Sequence, residues 1–318
     1  MTTTSRYPRV ALIGAGQMSS HHARVIRESD SARLAVIVDT NEERARALAD
    51  ASDCRWSTDL ADAIACDAVV VASTTESHGE IAMALLDEGR PLLIEKPVSH
   101  DIEQVAQIVE ASERKRVPIM CGFVERFNPV LATAADLLDE SPVHLVALRH
   151  SPPAPRISTS VVYDMLIHDI DLALRFMAPS LSVTMSTTRP QPAELRDEIA
   201  DCSISFDGGQ IATLSSSRLS QRKIRHFLIS TRTLLIDADL LRSTLSVYRH
   251  VQHEQVAEAT VAYRAETVID IPFVRHAGEP LALQFEHFMR LADGRADADS
   301  ERASIVPPHR LADDVTRS

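Results

Sequence analysis

Five residues, Arg9-Val10-Ala11-Leu12-Ile13, read as a buried strand that runs directly into Gly14-Ala15-Gly16-Gln17-Met18-Ser19. Apolar positions then recur at helical spacing, which predicts an amphipathic helix from about Met18 to Glu28. The same alternation continues: strand Ala32–Val38, helix Asn41–Asp50, short helix Asp59–Ile64, strand Asp67–Ala72, helix Gly79–Asp87 and strand Leu92–Ile94. A helix capped by Ser99 and running to about Arg114 follows, then strand Val117–Cys121. Apolar runs of this length, separated by helices, belong to strands covered on both faces of a doubly wound parallel sheet.

The pattern changes beyond residue 122. Helix Asn128–Leu138, strand Val143–His150, the loop Pro152-Pro153-Ala154-Pro155 and helix Tyr163–Phe176 come first. Strands then follow without helices between them: Leu181–Thr188, Ala200–Phe206, Gln210–Ser217, Ile224–Thr231, Ser243–His250, Val256–Tyr263 and Thr267–Ile271. Asp207-Gly208-Gly209 reads as a hairpin turn. Helix Glu279–Ala292 closes the series, and the polar tail from Asp293, with Pro307-Pro308, shows no pattern that assigns it an element. The expected fold is α/β: a doubly wound parallel sheet over residues 1–122, and an α+β domain over 123–318 built on a large, mostly antiparallel open sheet. The helices near Asn128 and Tyr163 can cover one face of that sheet only. The other would expose Ile224, Leu228 and Val247 unless a partner covers it, so a homodimer or homotetramer is expected.

Composition adds limits. The 318 residues are 45% apolar and 25% charged, as in ordinary globular proteins. A formal net charge of −12 argues against nucleic acid and anionic membrane surfaces as partners. The start of the chain, Met1 to Pro8, reads as a disordered lead-in without the apolar run of a signal peptide. Cys54, Cys66, Cys121 and Cys202 are scattered, with no Cys-x-x-Cys spacing, which points to reduced core thiols in a cytoplasmic protein.

Candidate chemistry sits at the strand ends. Two of only nine glycines, Gly14 and Gly16, fall in the first strand-to-helix turn. One permits a tight turn, and the other lets a pyrophosphate approach the helix N-terminus. Asp39, ending the second strand, can accept both hydroxyls of an adenosine ribose and would repel a 2′-phosphate, favouring NAD over NADP. Arg44 lies close in sequence on the other side of that argument. Lys96 follows strand Leu92–Ile94 and Glu95, and Pro97 stops the ladder and keeps Lys96 extended. Such a lysine stands on the edge where open α/β sheets bind ligands. Asp164 and His168, four apart on an expected helix, would stack on one face, a carboxylate fixing the imidazole for proton transfer. Some of Asp164, Asp169 and Asp171 read as acids complementing a helix dipole. One histidine among aspartates is poor zinc spacing, so no metal is expected. His21 and His22 read as surface or packing residues, and His78 as a cofactor contact. Lys223 and Arg225, alternating with Ile224, would share one face of a strand and suit a phosphate, with Arg218 adding charge.

Taken together, Gly14-Ala-Gly-Gln-Met18, Ala72-Ser-Thr-Thr with His78, Glu95-Lys96-Pro97, Gly122-Phe-Val-Glu-Arg126-Phe-Asn-Pro129 and Asp164-x-x-x-His168-Asp-Ile-Asp171 resemble the glucose–fructose oxidoreductase / inositol dehydrogenase family. The resemblance spans residues about 9 to 292. Glu125-Arg-Phe-Asn-Pro129, Arg222-Lys-Ile-Arg225 and Gly278 to Phe288 are similar to the members acting on UDP-N-acetylglucosamine at C3. Ser19, where the family has glycine or alanine, Ser220-Gln221 and the region after Asp293 depart from the pattern. The resemblance implies a Rossmann domain and NAD-dependent hydride transfer at a secondary alcohol of a sugar or nucleotide sugar. It also implies cofactor contacts from Gly14, Gly16, Gln17, Met18, Asp39, Ser73, Thr74, His78, Glu95 and Lys96. Lys96 and His168 would stand at the reacting carbon, with Asp164 orienting the histidine, and Arg126, Lys223 and Arg225 would contact substrate. A desolvated lysine near a nicotinamide cation favours its neutral form and can serve as base in oxidation. Inositol dehydrogenases, ketosugar reductases of secondary metabolism and non-catalytic regulators share the same scaffold.

Overall fold

The structure, a computed structural model, describes residues 7–153, 159–177, 183–188, 197–257 and 260–317. The lead-in before Tyr7 and the loop residues Ala154 and Pro155 lie outside them, as do parts of the strands expected around residues 181 and 258.

By contacts the chain divides into two units, 1–127 with 279–313, and 128–278 with 314–318. The first is built on six parallel strands: β1 (Arg9–Ile13), β2 (Arg33–Val38), β3 (Arg55–Ser57), β4 (Ala68–Val71), β5 (Leu92–Ile94) and β6 (Ile119–Cys121), in the order β3-β2-β1-β4-β5-β6. The order reverses between β1 and β4, which puts the ligand-binding crevice at the carboxyl ends of those two strands. Helices α1 (Gln17–Glu28), α2 (Glu42–Ser52), α3 (Leu60–Ile64), α4 (Thr75–Asp87) and α5 (Ile102–Lys115) connect the strands. Asn41, Asp59 and Asp101 cap α2, α3 and α5 through their side chains. Asp101 therefore takes the position expected of Ser99, whose hydroxyl instead accepts the Asp101 N–H.

A cut after residue 122 differs from this division, because the C-terminal segment returns to the first unit. After α6 (Pro129–Asp136) and α7 (Ile167–Phe176) of the second unit comes α8 (Pro280–Ala292). Its Leu281, Phe285, Phe288 and Met289 join the core of Val10, Leu12, Ile26 and Ile37. The tail that lacked a pattern forms α9 (Ala298–Ala303) and α10 (Val306–Arg317). Arg302 of α9 donates to Ser112 of α5, and His309 of α10 accepts the Val98 N–H.

The second unit carries eight strands: β7 (His144–His150), β8 (Val183–Thr188), β9 (Ile199–Phe206), β10 (Ile211–Ser217), β11 (Ile224–Ser230), β12 (Leu235–Asp239), β13 (Thr244–Ala257) and β14 (Thr260–Asp270). Their order is β14-β13-β12-β11-β7-β10-β9-β8, antiparallel except for the β7–β10 pair. Strand β12 replaces an expected loop, and three expected strands merge into the long pair β13–β14. Leu145, Ala147, Leu214, Phe227, Ile229, Ile236 and Val247 are all buried. Val247 thus faces the covered side and not, as its alternation suggested, the open one. The register sets Ser246 of β13 opposite Asp237, and the open face carries Ile224 and Leu228 instead.

Candidate active site

The turn after β1 shows why its glycines are needed. Gly14 has φ +103°, and a Cβ there would stand 2.5 Å from the Ala72 carbonyl oxygen at the end of β4. Around Gly16 a Cβ would meet nothing within 4 Å, so the start of α1 stands beside open space that a ligand can approach closely. Ser19, the departure from the glycine pattern, is fully buried: its hydroxyl accepts the Gly16 N–H at 3.3 Å and donates to the Ala72 carbonyl at 3.2 Å. The serine ties the turn to β4, where a glycine could only permit close packing.

Gly14, Gly16, Gln17, Met18, Asp39, Ser73 and Thr74 line one cavity of about 560 Å³. The half-buried Asp39 accepts the Ala15 N–H at 2.7 Å and the Asn41 N–H at 2.8 Å, one on each oxygen. A carboxylate has about four acceptor directions, so it can still receive ribose hydroxyls. Arg44 lines the same cavity. The close-packed Gly14, the open Gly16 and the acidic strand end fit an adenine dinucleotide, held by the α1 N-terminus and Asp39.

Beyond β5 the backbone N–H of Glu95 donates to Val71, and the Lys96–Pro97 bond is cis. Lys96 is half-buried. Glu95, expected on the cofactor side, turns inward: it is 7% exposed, accepts from His22 Nε2 at 2.7 Å and from the Lys96 N–H at 3.2 Å. Gly122 leaves room for it, since a Cβ there would stand 2.8 Å from Glu95 Oε2. Burial pushes the Glu95 carboxyl up, but the hydrogen bond from His22 and the Lys96 charge hold it below the usual range. Of the two roles expected of His22, surface or packing, it takes packing. Its Nδ1 is buried without a partner among the described residues, which fits a ring carrying its proton on Nε2.

His78 is also corrected. It is 1% exposed, and its ring nitrogens lie 3.0 Å from the Pro97 carbonyl and 3.2 Å from the Ser73 carbonyl. It joins the β4 and β5 loops behind the cavity wall and does not line the cavity. Burial lowers its basicity. Arg126, expected at the substrate, has its side chain 1% exposed. Its guanidinium lies over the Phe123 ring and donates to Glu301 and Ser304 of the C-terminal segment. That segment had no readable pattern, so nothing in the sequence marked the partner.

In the second unit, Asp164 and His168 do not sit on one regular helix. A π turn, Val162–Leu166, precedes α7, and the Ile167 N–H donates to the Val162 carbonyl five residues back. Single π turns are frequent at functional sites. His168 is 8% exposed. Asp169 is not a solvated dipole acid: Arg149 of β7 donates to both its oxygens, 2.7–3.1 Å, with both side chains buried. Arg218, expected in an anion site, is 2% exposed and structural. It binds Glu198 and the carbonyls of Thr159 and Asp197, and lies 3.6 Å from Asp164 Oδ2.

Lys223 and Arg225, expected to share one face of a strand, are both exposed, and only Arg225 lies within the strand. β11 begins only at Ile224, so Lys223 lies outside the strand and lines a 300 Å³ cavity with Ile224 and His226. Arg225 shares a face with Phe227 and Ile229 and pairs in register with Arg149, the partner of Asp169 on α7.

Comparisons with known proteins agree with this geometry. Residues 8–123 match the oxidoreductase family with an NAD-binding Rossmann fold, and residues 143–233 match the C-terminal domain of the same Gfo/Idh/MocA family. The chain is 26% identical over 276 residues to the UDP-N-acetylglucosamine 3-dehydrogenase of Acidithiobacillus ferrooxidans, covering 86% of this chain and 83% of that one. It is 34% identical over 199 residues to an inositol 2-dehydrogenase of Saccharopolyspora erythraea, covering 58% of each. Among solved structures, the Acidithiobacillus enzyme superposes with a TM-score of 0.82 at 24% identity, covering 97% of this chain and 96% of its own. A 3-ketoreductase from Actinomadura kijaniata superposes with a TM-score of 0.78 at 15% identity, covering 98% and 97%.

Proposed function

Because the chain belongs to the Gfo/Idh/MocA oxidoreductase family, with its NAD-binding Rossmann domain, we propose that it is an NAD-dependent sugar dehydrogenase or ketoreductase acting on a nucleotide sugar such as UDP-N-acetylglucosamine at C3. The observation that carries the reading is a half-buried lysine at the carboxyl end of β5, joined through His78 to the wall of the dinucleotide cavity. The chemistry NAD supplies when bound is acceptance of a hydride from carbon. Loss of that hydride from a secondary alcohol requires loss of the hydroxyl proton as the carbonyl forms. Lys96 is the group to take it, and to return it in the reverse direction. Asp39, with its two remaining acceptor directions, selects NAD over NADP.

Within the second unit, Asp164 and His168 are assigned to substrate handling, the carboxylate and imidazole suiting a sugar hydroxyl. Arg225 is the anion contact: it is exposed, on the sheet face that holds Arg149, the partner of Asp169 next to His168. Its guanidinium suits a diphosphate. The alternative, inositol oxidation, rests on the 34% identity over the shorter match. The four cysteines are free thiols, as suits a reducing, cytoplasmic setting; no described helix is long and apolar enough to cross a membrane.

The test follows NADH absorbance with UDP-N-acetylglucosamine, free sugars and inositols. Turnover of the nucleotide sugar, a raised KM in Arg225→Ala, and a fall in Lys96→Met by roughly a hundredfold to ten-thousandfold are expected. Lys96→Met with more than half of wild-type activity would remove Lys96 from the chemistry. Turnover of neutral inositols alone would replace the substrate.

A further inference from the structure

Three histidines that proton transfer leaves unused converge on three residues flanking Lys96. His22 of α1 meets the Glu95 carboxylate at 2.7 Å. His78 of α4 reaches the Pro97 carbonyl at 3.0 Å. His309 of α10 accepts the Val98 N–H on Nε2 at 3.0 Å and donates from Nδ1 to the Ile305 carbonyl at 2.7 Å. None of the three rings is more than 1% exposed. Burying an imidazole is costly unless its polar atoms are bonded, and here three rings from distant parts of the chain bond to one short segment. Gly122 closes a further side, packed against Glu95 where any Cβ would collide.

The residues held are 95, 97 and 98, on both sides of Lys96. A lysine carries its nitrogen on a flexible four-carbon stem, so its position depends on how firmly its own backbone is fixed. Loops are poor platforms for such a group unless a supporting shell locks them. We infer that His22, His78 and His309 are positioning residues that lock the backbone on either side of Lys96 and so place its nitrogen for proton transfer. This rests on the reading of Lys96 as the acid–base group.

His309→Phe keeps the ring volume and removes the acceptor, whereas His309→Gln keeps an amide oxygen able to accept from Val98. His22→Phe and His22→Gln make the same contrast for the donor to Glu95. The first measurement is amide hydrogen exchange at Val98 in the full-length protein without cofactor or substrate. Protection should fall by about tenfold or more in His309→Phe and be largely retained in His309→Gln. The second is turnover of UDP-N-acetylglucosamine with NAD. Because a displacement of about 1 Å can cost about a hundredfold, the Phe variants should lose about tenfold or more in kcat, with NAD affinity within about twofold of wild type. The Gln variants should recover most of it.

Val98 protection unchanged in His309→Phe, or kcat falling equally in the Phe and Gln variants, overturns the inference. If the Phe variants do not fold, the ring nitrogen shifts of wild-type His309 decide: a proton on Nε2 instead of Nδ1 overturns it. An active Lys96→Met enzyme refutes the reading of Lys96, whereas an inactive Lys96→Met beside fully active Phe variants refutes the positioning role alone. A wild type inactive on UDP-N-acetylglucosamine refutes that substrate and leaves Val98 exchange to decide.

Discussion

The bond from Val98 to His309 makes a quantitative prediction about acid stability. His309 is wholly enclosed, so burial, with a smaller push from the Arg126 charge, lowers its pKa to about 4, against an opposing hydrogen bond to Ile305. In the unfolded chain it titrates near 6.5. Between those values the unfolded chain binds a proton that the folded chain does not, so stability rises with pH across the window and falls on acidification. A difference of about 2.5 pKa units corresponds to about 3 kcal/mol in full, of which about 2 kcal/mol is lost between pH 7 and pH 5. The assay is urea denaturation of wild type and His309→Gln at several values across that range. Carboxylates such as Glu95, held below their usual range, lose their contribution further down and do so in both proteins. The difference between the two profiles therefore isolates His309. Wild type should lose about 2 kcal/mol more than the variant between pH 7 and pH 5, and parallel profiles would refute a buried neutral His309.

Other expectations follow from single contacts. Arg149→Met should destabilise the protein by about 3–5 kcal/mol, because Asp169 would remain buried without its cation, and a denaturation midpoint near wild type would contradict the pairing. Asp39→Ser should weaken NAD binding and relax exclusion of NADP, and a wild type that prefers NADPH in steady-state kinetics would reverse the role of Asp39. The open face of the eight-stranded sheet carries Ile224 and Leu228, so a dimer or tetramer is expected, and a monomer by light scattering at micromolar concentration would count against it.

The sequence alone determined the parallel sheet, because strands buried on both faces are apolar at nearly every position and their ends are marked by Gly14, Asp39 and Pro97. These are local signals: a tight turn, a strand-end acid and a broken ladder need no knowledge of distant residues. The same holds for Lys96 as a lysine following a buried strand. Contacts across the chain were decided only by tertiary structure. Glu95 turned inward because His22 lies 73 residues earlier on α1, and nothing local distinguishes a buried histidine from an exposed one. Val98 is held from 211 residues away by α10, whose buried Leu311, Ala312 and Val315 do recur at helical spacing, but Pro307-Pro308 and the polar residues around them masked the pattern. Alternation along β11 and β13 showed which residues share a face, but not which face is covered. That choice depended on register, which put Val247 inside, and the strand start left Lys223 outside β11. At Asp164 the four-residue spacing assumed an α-helix, and a π turn, a matter of packing that side-chain periodicity does not record, wound the backbone more widely there.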